Sequence, residues 1–142
     1  MIPVNARDLG IELSETSSHG LYKWLLASFL IGKRIRSTVA VETYRSLVDR
    51  HGLDTPERLA RCSHRDLVRF LGQAGYARYD ESTATRLRAL GISLAAELES
   101  RTNAVWSGSM KPAEFDAWLL SFKGIGPKTL EIFKHEAVLG EM

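Results

Sequence analysis

Leu21, Trp24, Leu25, Ser28 and Phe29 recur three and four positions apart, the spacing of one face of an α-helix. The pattern returns down the chain. Val41, Tyr44, Leu47 and Val48 keep it, as do Leu87, Leu90, Leu94 and Leu98. Phe115, Trp118, Leu119 and Phe122 follow, then Leu130, Ile132 and Phe133. No run alternates apolar and polar residues as a strand pair would. Connections are short, so successive helices should pack as neighbours. These features predict an all-α chain of about seven helices, folded as one domain over residues 1–142.

Local signals set the helix ends. Ser17 or Ser18 can cap the first helix, which "GKRIRS" (32–36 and Ser37) breaks. Ser37 or Thr38 starts the second, and His51-Gly52 stops it. Thr55-Pro56-Glu57 supplies a cap, a proline at the first helical position and an acid near the positive helix end. Ser63 with Asp66 resembles a capping box, opening a helix that ends near Gly72. A longer helix should run from about Glu81 to Arg101, with Gly91 as a candidate kink. Pro112 and Pro127 open the last two.

Of the 142 residues, 44% are hydrophobic and 25% charged, which suits a globular chain. A formal net charge of +2 says little about a polyanionic partner, so local distribution must decide. Cys62 is the one cysteine. It excludes an iron–sulfur cluster or an all-cysteine zinc site built from this chain, and it fits a reducing, cytoplasmic setting. The apolar run 24–32 is too short to span a bilayer, and the N-terminus lacks a signal-peptide core. No membrane partner is expected.

Residues 112–137 read as helix, five-residue turn, helix. Gly124 and Gly126 flank Ile125, which can tuck between the helices and fix the turn. The N–H groups from Gly124 to Lys128, apart from Pro127, would then point outward at a helix start. Such an end binds anions through free donors and the helix dipole together. Lys123 and Lys128 add charge on both sides. A nucleic-acid phosphate is the natural guest, and phosphate contacts carry no sequence information. A plain helix–helix corner is the alternative.

The stretch "LLSFKGIGPKTLEIF" (119–133) resembles the helix-hairpin-helix motif of the endonuclease III-like DNA glycosylases, roughly Leu-Pro-Gly-Val-Gly-Arg-Lys-Thr-Ala. Leu120 to Thr129 follow that form, with Phe122-Lys123 in place of Leu-Pro and Leu130 in place of alanine. "LYKWLLASFLIGKRI" (21–35) is similar to the family's first barrel helix and the loop after it. "FLGQAGYARYDESTATRLRAL" (70–90) resembles a later loop and helix. Together the similarity spans residues 18 to 133 in the right order.

The resemblance implies a six-helix-barrel-type domain that binds damaged or abasic double-stranded DNA in base-excision repair and flips out one nucleotide. It puts Lys123, Gly124, Ile125, Gly126, Lys128 and Thr129 on the DNA backbone. It also matches the family's two wedging loops to 32–36 and 75–79, bringing in Lys33, Arg34, Arg36 and Tyr76. Tyr76 would either stack on an exposed base or close a helix end. A monovalent cation at the hairpin stays open, and no other cofactor is implied.

In bifunctional members the position of Lys128 carries the catalytic lysine, whose neutral amine forms a Schiff base with the sugar before β-elimination. The family's aspartate lies roughly eighteen residues further on, which here is past Met142, with the usual second half of the enzyme. Glu114, Asp116, Glu131, Glu136 and Glu141 are the nearby carboxylates, and Glu131 would suppress the nucleophile if it paired with Lys128. Three readings follow: a DNA-binding barrel without chemistry, an abasic-site lyase using Lys128, or a protein-interaction module. The lyase would take its carboxylate from its own tail or from a second chain, as in a split glycosylase, and in the interaction module the interior left exposed by the missing half could become a homo-oligomer or partner-chain surface.

Overall fold

A computed structural model of the chain describes residues 4–13, 18–33, 35–76 and 79–137. Among the described residues the regular structure is all helical. A 3₁₀ turn, Arg7–Leu9, precedes α1 (Ser18–Ile31), α2 (Ser37–Arg45), α3 (Pro56–Arg61), α4 (His64–Gln73), α5 (Asp80–Ser107), α6 (Pro112–Leu120) and α7 (Pro127–Glu136). The last turn of the second helix, Ser46–Arg50, widens to a π-helix.

The start signals at Thr55 and Ser63 act as read, while α2 begins at Ser37 without a side-chain cap and the candidate cap Ser17 lies outside the described residues. Thr55 Oγ1 accepts the Arg58 N–H at 3.1 Å, and Ser63 Oγ accepts the Asp66 N–H at 3.0 Å. Each satisfies one of the donors that a helix start leaves bare. Pro56, Pro112 and Pro127 stand in first turns, where the missing N–H costs nothing. His51 and Gly52 end the second helix, with Gly52 at φ +70°.

The centre of the fold is α1. Trp24 to Leu30 are all buried, with helices packed on several sides. Its neighbours are α2, α5 and α7. Tyr22 donates its hydroxyl to the Leu53 carbonyl at 2.8 Å, and Trp24 Nε1 donates to the Phe133 carbonyl at 3.0 Å. These bonds satisfy the polar handles of two large buried rings and tie α1 to the segment before α3 and to α7.

The long helix differs from the sequence expectation. It runs to Ser107 and is α-helical through Gly91. Gly91 is a packing residue instead of a kink: a Cβ there would sit 2.9 Å from the Ala60 backbone nitrogen and 3.0 Å from Leu59 Cγ. The missing side chain lets α3 lie directly on α5. Periodicity reports a glycine inside a helix but not the backbone that crosses it.

Close contacts at glycines join elements far apart in the chain. Gly32, after α1, abuts Thr129 in the first turn of α7. A few residues on, Val39 in α2 lies 3.6 Å from the position of a Gly75 Cβ, at the end of α4. Gly75, at φ +98°, lets the Tyr76 N–H reach back to the Leu71 carbonyl at 2.9 Å and close α4.

Candidate nucleic-acid interface

The turn between α6 and α7 is built from outside as much as from its own residues. Gly124 has φ +94°, a left-handed conformation that favours glycine. A Cβ there would also lie 2.5 Å from Phe29 Cε2 and 2.7 Å from its Cζ. The turn is pressed onto the last turns of α1, and only a residue without a side chain fits. Ile125 tucks into the core, 4% exposed. Across the hairpin, Lys134 Nζ donates to Asp116 Oδ2 at 2.7 Å, joining α7 to α6.

Gly126 faces the other way. Nothing lies within 4 Å of a Cβ at this position, so the backbone here is open. Among the described residues the N–H groups of Gly126, Lys128 and Thr129 meet no acceptor, and Pro127 has none to offer. The expected fan of donors is narrower than the sequence suggested. Ile125 spends its N–H on the Phe122 carbonyl at 3.1 Å. What remains is the bare, electropositive start of α7.

The lysines on either side are placed differently from the third. Lys123 and Lys128 are exposed. Lys33 is turned inward: its ammonium donates to the Gly124 carbonyl and lies 4.3 Å from the centre of the Phe29 ring. It straps the α1–α2 loop to the turn, so its first contact is with the protein. Burial pushes its pKa below the ordinary lysine value, and the Arg86 guanidinium adds to that shift. The Phe29 ring face works against the shift by favouring the charged form. Arg36 is exposed, and Arg34 lies outside the described residues.

Arg86 is the residue that reading the sequence missed. Its Cδ would be 3.3 Å from a Gly124 Cβ, so the second turn of α5 brings a cation alongside the turn. It is exposed. Nothing in the sequence marks it, because only the packing of α5 beside the turn joins residues 86 and 124.

Two candidates sit where they do not meet a ligand with their side chains. Tyr76 is 2% exposed, so its ring is not a surface platform for a base, and it closes α4 as the alternative reading held. Thr129 is 2% exposed with its hydroxyl against Gly32, so the residue as a whole is covered. The exposed aromatic of that loop is Tyr79.

The nearby carboxylates are occupied or apart from Lys128. Asp116 holds Lys134, and Glu114 Oε1 accepts the Lys111 N–H at 3.4 Å. Glu136 accepts the Ala6 N–H, tying the 3₁₀ turn to α7. Glu131 is exposed, and no ion pair joins it to Lys128 among the described residues. Glu141 lies outside them. Among the described residues no group of three His, Cys, Asp or Glu side chains could hold a metal ion, and no helix is long and apolar enough to cross a membrane. No protein-family model, curated protein or solved structure matches the chain.

Proposed function

We propose that the chain binds double-stranded DNA through the α6–α7 hairpin, holding a backbone phosphate on the N-terminus of α7 in the service of base-excision repair. One observation carries this reading. The turn is locked against α1 by Gly124 and Ile125, while Gly126 lies in open space and the N–H groups of Gly126 and Lys128 are unpartnered, with the exposed Lys123 and Lys128 on either side. A rigid cradle of donors with flanking cations suits a phosphate and carries no base readout. The resemblance of residues 18–133 to endonuclease III-like glycosylases, with their helix-hairpin-helix and six-helix barrel, supports the same partner. Lys128 finds no carboxylate among those described, which favours backbone contact as its role.

The test is fluorescence anisotropy on unrelated duplexes across a salt series. Log affinity should fall linearly with log salt, with a slope of about −0.9 per phosphate neutralised, and should not depend on sequence. Lys123→Ala and Lys128→Ala should each flatten the slope by about one. Salt-insensitive binding, or none, would sink the reading.

A further inference from the structure

A cleft of about 480 Å³ opens where the second helix meets α3 and α4, walled by His51, Leu53, Arg58, Arg61, Cys62 and Phe70. Its size is that of a small-ligand site. It shares no residue with the α6–α7 turn. The π turn Ser46–Arg50 leads straight into it, and such turns recur at functional sites. Two backbone bonds close that turn: the His51 N–H donates to the Ser46 carbonyl at 3.0 Å, and the Leu53 N–H to the Leu47 carbonyl at 2.9 Å. The His51 ring lies flat on Phe70, with ring centres 3.6 Å apart and planes 9° apart. With Leu53, these two rings give the cleft a flat, largely apolar wall.

The charge here is not balanced. Arg58 Nη1 donates to Asp54 Oδ1 at 2.9 Å, and Arg69 Nη2 donates to Asp66 Oδ1 at 3.2 Å, so neither carboxylate is left for a further arginine. Arg61 is exposed and has no hydrogen bond or ion pair among the described residues. Arg88, from α5, acts electrostatically on the Cys62 thiol, and its buried Nε has no hydrogen-bond partner among the described residues. Burial, with Asp66, pushes the thiol's pKa up, while Arg88 and Arg69 pull it down less, so the thiol adds no negative charge to repel an anion. A phosphate monoester brings about two negative charges and three acceptor oxygens near neutral pH, which suits two uncompensated guanidinium groups better than a carboxylate does. We propose that the cleft binds a phosphate monoester carried on a flat ring, the chemistry of a nucleoside monophosphate. The phosphate sits at Arg61 in the positive field that Arg88 strengthens, and the ring lies along the wall of His51, Phe70 and Leu53. The site stands independently of the DNA-binding reading.

Cys62 is the chain's one cysteine and lines the cleft, so its alkylation by iodoacetamide reports occupancy. The probes are adenosine monophosphate, adenosine and inorganic phosphate, with the His51 ring protons followed by NMR in parallel. Adenosine monophosphate should shift the His51 resonances and, at about four times its Kd, slow alkylation on the order of fivefold, as mass action requires of a blocked thiol. Adenosine or phosphate alone at the same concentration should protect far less. Arg61→Ala should weaken adenosine monophosphate by on the order of tenfold, the loss of one charge-assisted hydrogen bond. A thermal melt checks that this variant folds, and the three probes on the wild type decide the matter if it does not. Equal protection by inorganic phosphate would reduce the site to a patch for any anion, and equal protection by adenosine would remove the role of the arginines. Either result overturns the proposal, as does full alkylation with unmoved His51 resonances, or an unchanged affinity in Arg61→Ala.

Discussion

Gly32 and Thr129 meet with no room for a methyl group between them. A Cβ on Gly32 would overlap the Thr129 hydroxyl, and would sit 3.3 Å from Thr129 Cα and 3.1 Å from the Ser28 carbonyl. This contact fixes α7's first turn, and so the bare N–H groups, against the end of α1. Gly32→Ala should therefore cost about 1–3 kcal/mol by overpacking. Thr129→Ala removes the hydroxyl in the way, so the double variant should be more stable than the sum of the two predicts, by at least about 0.5 kcal/mol. Urea melts of the four proteins measure this. Strict additivity would mean that the two residues do not share a tight contact.

The two glycines of the turn should separate stability from binding. At Gly124 an alanine meets both a left-handed backbone and the Phe29 ring, and Gly124→Ala should cost on the order of 2–4 kcal/mol. At Gly126 the space is open and φ is −111°, so Gly126→Ala should change stability by less than about 0.5 kcal/mol. The methyl would nonetheless stand where a phosphate approaches the N–H groups. Affinity for duplex DNA should fall while the melt is unchanged. Unaltered DNA affinity in Gly126→Ala would show that the backbone does not approach this face.

Tyr76 is buried with its hydroxyl unpartnered among the described residues. An unsatisfied buried hydroxyl costs desolvation without return. Tyr76→Phe removes that cost and keeps the packed ring, so the variant should be as stable as the parent or up to about 1 kcal/mol more stable. A loss of stability in a denaturant melt would mean that the hydroxyl has a partner. DNA binding should be unaffected, since the ring is not on the surface.

Alkaline pH should unfold the protein cooperatively. Burial raises the phenol pKa of Tyr22, Tyr44 and Tyr76, for Tyr76 to about 12. The folded chain thus favours the neutral phenols. That contribution is intact below about pH 10, the ordinary tyrosine value, and is lost as the pH rises through the folded-state values. Tyrosinate absorbance for these three rings should appear together with loss of helical circular dichroism. Ionisation of these three tyrosines well before unfolding would contradict their burial.

Features set by near neighbours in the chain were legible without a structure. The caps at Thr55 and Ser63 need only a hydroxyl and an N–H three residues on, and both form. The apolar faces of α1, α5 and α7 follow from spacing, and Ile125 tucks in because a branched apolar residue between two glycines is better buried than solvated. The end of α5 was placed too early because nothing in its last turns caps or breaks it before Gly108. Glycine's meaning was legible only in part: Gly91 reads as a weak point in a helix, yet it is where α3 crosses.

The sequence by itself determined that this chain is helical, where most of its helices begin, and that a glycine-flanked turn with two lysines precedes the last of them. These depend on interactions within one or two helical turns, which spacing and capping chemistry describe completely. The tertiary structure decided which cations face solvent and which face the protein. Lys33 looked like a loop cation and became a strap on Gly124, Tyr76 went inside, and Arg86 arrived beside the turn from a helix some forty residues earlier in the chain. The reason is geometric. A long side chain at a helix end is directed by whatever backbone packs within its reach, and that partner lies far away in sequence.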